Sequence, residues 1–209
     1  LAREGIPEER VHHVGNVMID TLFDNLEEAK KRDTLERLGL EPGNYALLTL
    51  HRPSNVDDPD ILRGIFRALE QIHEKLPILF PIHPRTRAAI EEKLGNTAPR
   101  LKLTEPMGYL DFLQLMAEAR LVFTDSGGIQ EETTALGVTC LTLRENTERP
   151  ITVSEGTNTI VGSQPEKILL EAEKVLGGDG KSGRTPTLWD GRAASRILDI
   201  LKRDVDGTL

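Results

Sequence analysis

Apolar residues fall into short runs, separated by longer stretches in which they recur every three or four positions. The runs, rich in Leu and β-branched residues, are VHHVG (11–15), YALLTL (45–50), ILFPIH (78–83), LKLTEP (101–106), LVFTD (121–125), TCLTL (139–143) and TIVG (159–162), and each predicts a strand. Between them the period changes. Ile61, Ile65, Leu69 and Ile72 repeat at helical spacing behind Asp57, Asp58 and Pro59, which are helix-start signals. YLDFLQLMAEA precedes the fifth run, GIQEETTALG follows it and stops at Gly137, and RAASRILDILKRD closes the chain as a last helix after a Gly- and Pro-rich loop at 177–191. Strand–helix alternation of this kind implies an α/β fold, a doubly wound parallel sheet covered by helices on both faces.

That layout localises function. Open parallel sheets bind ligands beyond the carboxyl ends of their strands. Those ends carry the chain's unusual polar residues: Gly15-Asn16, His51-Arg52, His83-Pro84-Arg85, Glu105-Pro106, Asp125-Ser126-Gly127-Gly128, and Arg144 onward.

Composition narrows the ligand. The 209 residues are 38% hydrophobic and 29% charged, ample for a packed core, and the net charge of −8 supplies no basic field for nucleic acid or an anionic membrane. An anionic ligand therefore needs a local site. The single cysteine, Cys140, excludes an internal disulfide framework, fits a reducing, cytoplasmic setting, and sits in an apolar run as a core residue. No stretch is apolar for long enough to span a bilayer. The start, LAREGIPEER, reads as a helix end and a Pro-containing linker, so the chain resembles the later part of something longer.

TDSGGIQEE (124–132) is the richest segment. A strand running through a glycine turn into a helix leaves the first helical N–H groups without internal partners, and with the helix dipole they favour an anion, here a phosphate or diphosphate. A plain N-cap, Ser126 or Asp125 bonding the helix start, explains the same residues equally well. Glu131 and Glu132 project about 100° apart on that helix, so one is expected to face the rim and accept ribose hydroxyls while the other turns to solvent or a neighbour. His51 can donate to a phosphate or shuttle a proton; a histidine satisfied by a backbone carbonyl is the competing account. His83 and Arg85 repeat the arrangement one unit later. His12 and His13, in the first strand, point to opposite faces and make no metal pair. In LRENTERP (143–150), Arg149 can clamp a phosphate, or the loop holds only internal ion pairs. No metal spacing, Ser-His-Asp order or GxGxxG fingerprint is present.

HRPSNVDDP, PIHPRTR, EPMGYLDF, TDSGGIQEE and LRENTERPITVSEGTN, in this order, closely resemble the non-hydrolysing UDP-N-acetylglucosamine 2-epimerases, as do GIPEERVHHVGNVMID and LWDGRAASRILDIL at the two ends. The resemblance implies the Rossmann-like C-terminal half of a GT-B-type two-domain enzyme: a linker at 1–10, a UDP-binding domain at 11–188, and a helix at 189–209 packing toward an N-terminal domain. It implies that Ser126, Gly127 and Gly128 hold the diphosphate, Glu132 the ribose, and that Phe112 lies by the uracil. Arg149 completes the UDP site and His51 contacts the phosphate or sugar, the one residue of this half with a catalytic part. Arg52 and His83 match positions that some bacterial members use for a second, regulatory UDP-GlcNAc. Met107 stands where some relatives carry Gln, and HRPSN replaces their HRREN. Implied too are a homodimer, no cofactor and no metal, with the proton-moving carboxylates in the other half, so that this chain alone binds UDP weakly and does not epimerise. A GT-B-type glycosyltransferase and a non-catalytic nucleotide-sugar sensor are the rival functions.

Overall fold

The computed structural model describes residues 2–95 and 100–205. Six parallel strands form one sheet: β1 (Ala46–Thr49), β2 (Ile78–Pro81), β3 (Lys102–Thr104), β4 (Leu121–Thr124), β5 (Cys140–Thr142) and β6 (Asn158–Ile160), in the order β3-β2-β1-β4-β5-β6. The helices are α1 (Val17–Lys30), α2 (Thr34–Leu38), α3 (Pro53–Val56), α4 (Pro59–His73), α5 (Pro84–Leu94), α6 (Tyr109–Ala117), α7 (Gly127–Leu136), α8 (Pro150–Ser154), α9 (Pro165–Leu176) and α10 (Ala193–Val205). This is the Rossmann-like doubly wound arrangement that the alternation predicts.

The inner strands β1, β2 and β4 are apolar along most of their length because both faces are covered, and the side-chain period of two sorts them. Ala46, Leu48, Ile78, Phe80, Leu121 and Phe123 join one buried cluster with Leu62, Ile65, Leu69 and Ile72 of α4 and Ile168 and Ala172 of α9. Tyr45, Leu47, Leu79 and Val122 join the other with Leu22 of α1 and Leu113 and Met116 of α6. Each fully buried Leu or Phe contributes about 1.5–3 kcal/mol relative to exposure. Cys140 is fully buried in β5, as its run suggests.

One predicted strand is absent. VHHVG is an unpaired extended segment with Val11, His12 and His13 exposed. Gly15 ends it at φ +103°, where a Cβ would stand 2.2 Å from the Leu188 carbonyl oxygen, and Arg196 holds the Val14 carbonyl at 3.2 Å. The segment lies on the C-terminal part of the chain, and its positive φ cannot continue a strand. His12 and His13 thus have no sheet faces to divide. The closing helix is tied to α1: Asp20, buried in α1, accepts from the N–H groups of Ala193 and Ala194 at 3.0 and 2.7 Å. Residues 206–209, the end of the predicted closing segment, lie outside the described residues.

Candidate functional site

The strand order reverses direction between β1 and β4, which pair in parallel with Thr49 opposite Thr124. A crevice at such a switch point is where open α/β sheets take ligands. Thr49 Oγ1 and Thr124 Oγ1 are bonded at 2.7 Å, and the two chains leave the sheet side by side as His51-Arg52 and Asp125-Ser126.

Asp125 organises this exit. Its side chain is wholly buried, and Oδ2 accepts from the N–H groups of His51 (2.9 Å) and Arg52 (2.7 Å) and from Asn55 Nδ2 (3.2 Å). Oδ1 has no aligned hydrogen bond; His51 Nδ1 lies 2.9 Å from it, an ion pair when the ring is protonated. Burial alone would push this carboxyl up, but the His51 imidazole and the two backbone donors outweigh it and hold Asp125 below its ordinary range. The contact with Asp125 in turn raises His51, against burial and the neighbouring Arg52. His51 is therefore not satisfied by a backbone carbonyl. Its carboxylate partner faces Nδ1, and the side chain is 56% exposed.

Neither Ser126 nor Asp125 caps α7 through its side chain. Ser126 N–H donates to Thr124 Oγ1 at 3.0 Å, and the N–H groups of Gly127, Gly128 and Ile129 have no intrahelical acceptor. Gly127 and Gly128 are not among the glycines with positive φ, so the turn does not require them. A Cβ on Gly127 would meet only Glu148 Oε2 at 3.9 Å, and one on Gly128 the flexible end of Met18 at 3.2 Å. Two glycines in a first helical turn cost stability against Ala, and what they provide here is bare backbone.

Glu131 and Glu132 are both buried, so of the two alternatives for the second carboxylate, solvent or a neighbour, the structure has the neighbour. Glu132 accepts from Tyr109 Oη at 3.1 Å, and Tyr109 opens α6 beside the half-buried Phe112. Glu131 meets Arg149 Nε at 3.1 Å and Asn16 Nδ2 at 3.0 Å. Burial raises both carboxyls; Arg149 and Asn16 counter it at Glu131, and Tyr109 at Glu132.

The remaining predicted residues surround this centre. His83 leaves β2 and, with Thr49, His51, Phe80, Thr86 and Ala89, lines a cavity of about 600 Å³. The Arg85 side chain lies outside the described residues. Arg52 comes within 3.9 Å of Glu148, which pairs bidentately with Arg144 at 2.7 and 2.8 Å and is lowered to about 2 by that contact. The 143–150 loop thus has internal ion pairs, as one of its two readings holds, while Arg149 turns to Glu131. Tyr109 and Gln130 are site neighbours that sequence reasoning did not single out; Asn16 it marks only as a polar strand end. All three stand inside quoted motifs, but their partners are remote in sequence. Gln130 points inward, accepting from Thr147 Oγ1 at 2.5 Å and Asn158 Nδ2 at 3.0 Å. Among the described residues no helix is long and apolar enough to cross a membrane.

A parallel sheet in this order, with a bare helix start and a carboxylate-backed histidine at its switch point, defines a Rossmann-like domain with a polar rim. Its family is specific: residues 1–202 match the UDP-N-acetylglucosamine 2-epimerase family, and the chain belongs to it. A Methanococcus maripaludis UDP-N-acetylglucosamine 2-epimerase is 42% identical over 88% of this chain and 55% of its own length. A Pseudomonas aeruginosa UDP-2,3-diacetamido-2,3-dideoxy-D-glucuronate 2-epimerase is 35% identical over 97% of the chain and 56% of its own. The crystal structure of Methanocaldococcus jannaschii UDP-GlcNAc 2-epimerase in complex with UDP-GlcNAc and UDP superposes with a TM-score of 0.79 at 38% identity, over 95% of this chain and 57% of that one. The chain thus spans a little over half the length of these relatives.

Proposed function

We propose that this chain is the nucleotide-binding half of a UDP-N-acetylglucosamine 2-epimerase, the C-terminal half of a GT-B-type enzyme. One observation carries the proposal: HRPSNVDDP, PIHPRTR, EPMGYLDF, TDSGGIQEE and LRENTERP each begin where β1, β2, β3, β4 and β5 end, on one rim of the parallel sheet. In the proposed reaction UDP leaves the sugar by elimination as the C2 proton departs, and it adds back to give UDP-N-acetylmannosamine. The departing diphosphate gathers negative charge. The bare N–H groups of Gly127 and Gly128, the Ser126 hydroxyl, Arg149 and a readily protonated His51 are placed to stabilise it. Glu132, steadied by Tyr109, accepts the ribose hydroxyls, and Phe112 flanks the uracil. Arg52, near Glu148, and His83, which lines the cavity beside His51, take a second, regulatory nucleotide sugar.

No cofactor or metal enters the scheme. The proton-moving carboxylates belong to the N-terminal domain of the whole protein, a cytoplasmic homodimer. Residues 1–10 serve as the linker, 11–188 as the UDP-binding domain, and 189–209, whose described helix is α10, as the part facing the other domain. The exposed Leu198 and Leu201 of α10 support the last assignment.

The test is NMR of UDP-GlcNAc in heavy water with the protein that contains this chain together with the remaining length of its relatives. The epimer with deuterium at C2 is expected. Sugar transfer without C2 exchange identifies a glycosyltransferase, and binding without product a sensor. The relative named for a diacetamido-glucuronate sugar makes that nucleotide sugar the second substrate to try; its preferential turnover would reassign the substrate. The isolated chain is expected to bind UDP weakly without turnover.

A further inference from the structure

Glu131 has no part in the scheme above, yet it is a buried carboxylate one helical turn from the bare start of α7. Its Oε2 is buried without a partner, and two nitrogens from distant segments meet on Oε1: Asn16 Nδ2, which donates to it at 3.0 Å, and Arg149 Nε, which pairs with it at 3.1 Å. Asn16 is itself held, since its Oδ1 caps α1 by accepting from Met18 N–H at 3.0 Å, which turns its Nδ2 toward Glu131. The backbone of Arg149 needs no help from Glu131. Its N–H donates to Thr147 Oγ1 at 2.9 Å, and that hydroxyl donates to Gln130 Oε1 at 2.5 Å. What Glu131 adds is the direction of the Arg149 side chain. Nε is the guanidinium nitrogen nearest Glu131, and among the described residues Arg149 has no other ion pair. A guanidinium anchored by Nε presents its terminal fork to an anion without losing further rotamer freedom.

We infer that Glu131 is a positioning residue, anchored by Asn16, that aims the Arg149 guanidinium at the diphosphate of the bound nucleotide. The inference rests on the UDP reading of the site. Glu131→Gln keeps the shape and the Asn16 acceptor but removes the charge that holds Arg149.

The 209-residue chain and its Glu131→Gln, Arg149→Ala and double variants are titrated with uridine and UDP, followed by amide shifts in heteronuclear NMR. Wild type is expected to prefer UDP. Glu131→Gln should lose about tenfold in UDP affinity with uridine unchanged, the scale of one charge-assisted contact. In the Arg149→Ala background the Glu131 change should add nothing, which a merely structural role would not produce. Should Glu131→Gln not fold, the wild-type spectrum still decides: the Arg149 Nε–H signal is expected to shift on adding UDP and not on adding uridine, and a signal that UDP leaves unmoved overturns the inference. A wild-type chain that binds UDP no better than uridine defeats the UDP reading and this inference with it. Wild-type preference for UDP that survives Glu131→Gln, or additive losses in the double variant, overturns the positioning role alone.

Discussion

His51 Nδ1 lies 2.9 Å from Asp125 Oδ1, so a solvent-facing imidazole rests on a carboxylate that solvent does not reach. The pair joins the ends of the two strands that flank the switch point, and its protonation is coupled to the fold.

The coupling has a sign. The folded His51 is raised above 6.5, so its contribution to stability is complete below pH 6.5 and lost as pH climbs through the raised value. The folded Asp125 is lowered below 3.8, so its contribution is present above pH 3.8 and lost as pH falls through the lowered value. Asp125→Asn should bring the His51 titration in NMR back down and cost about 1–3 kcal/mol in urea unfolding, through weaker hydrogen bonds to buried donors. Its deficit against wild type should shrink as pH rises past the His51 titration; a deficit that widens there would refute the pairing.

Gly127→Ala separates stability from binding. Its Cβ meets nothing closer than Glu148 Oε2 at 3.9 Å and the backbone conformation suits any residue, so urea unfolding should show a gain of up to about 0.5 kcal/mol. UDP affinity should fall, because a methyl group then covers the N–H groups offered to the diphosphate. Unchanged UDP binding by calorimetry or NMR would remove the helix start from the site.

Gly15→Ala should be severe for a different reason. The position has φ +103°, and the new Cβ would stand 2.2 Å from a backbone oxygen of Leu188. Strain and displacement together cost about 3 kcal/mol or more, read as a lowered urea midpoint and early exposure of the buried Trp189 by fluorescence.

Cys140 should be silent. Burial in β5 pushes its thiol up to about 11, so a thiol reagent at pH 8 should label the folded chain only at the rate of global opening. Rapid labelling without denaturant would contradict a closed core.

Ser126→Ala and His51→Ala should each lower epimerase turnover of the whole protein at least tenfold, the scale of one oxyanion donor or more. Near-normal rates in both would move the active rim elsewhere.

The local patterns determined a great deal. Apolar runs split by helical spacing yield six of the seven predicted strands and the doubly wound class, because a strand buried on both faces must be apolar along its length. The Gly-Gly at a strand-to-helix junction marks the bare helix start for an equally local reason. VHHVG failed because two valines and a register of alternation do not create a neighbour to pair with, and Gly15 turns the segment onto Leu188 instead.

Only the tertiary structure decided which partner each charged residue takes. Asp125 serves His51 and Arg52 rather than its own helix, and Glu131 turns to Arg149 and Asn16. Such pairings depend on distances between segments 18 to 115 residues apart, and no periodicity encodes them. The strand order that brings β1 beside β4 is a matter of how whole layers pack, and it alone makes one site of several scattered motifs.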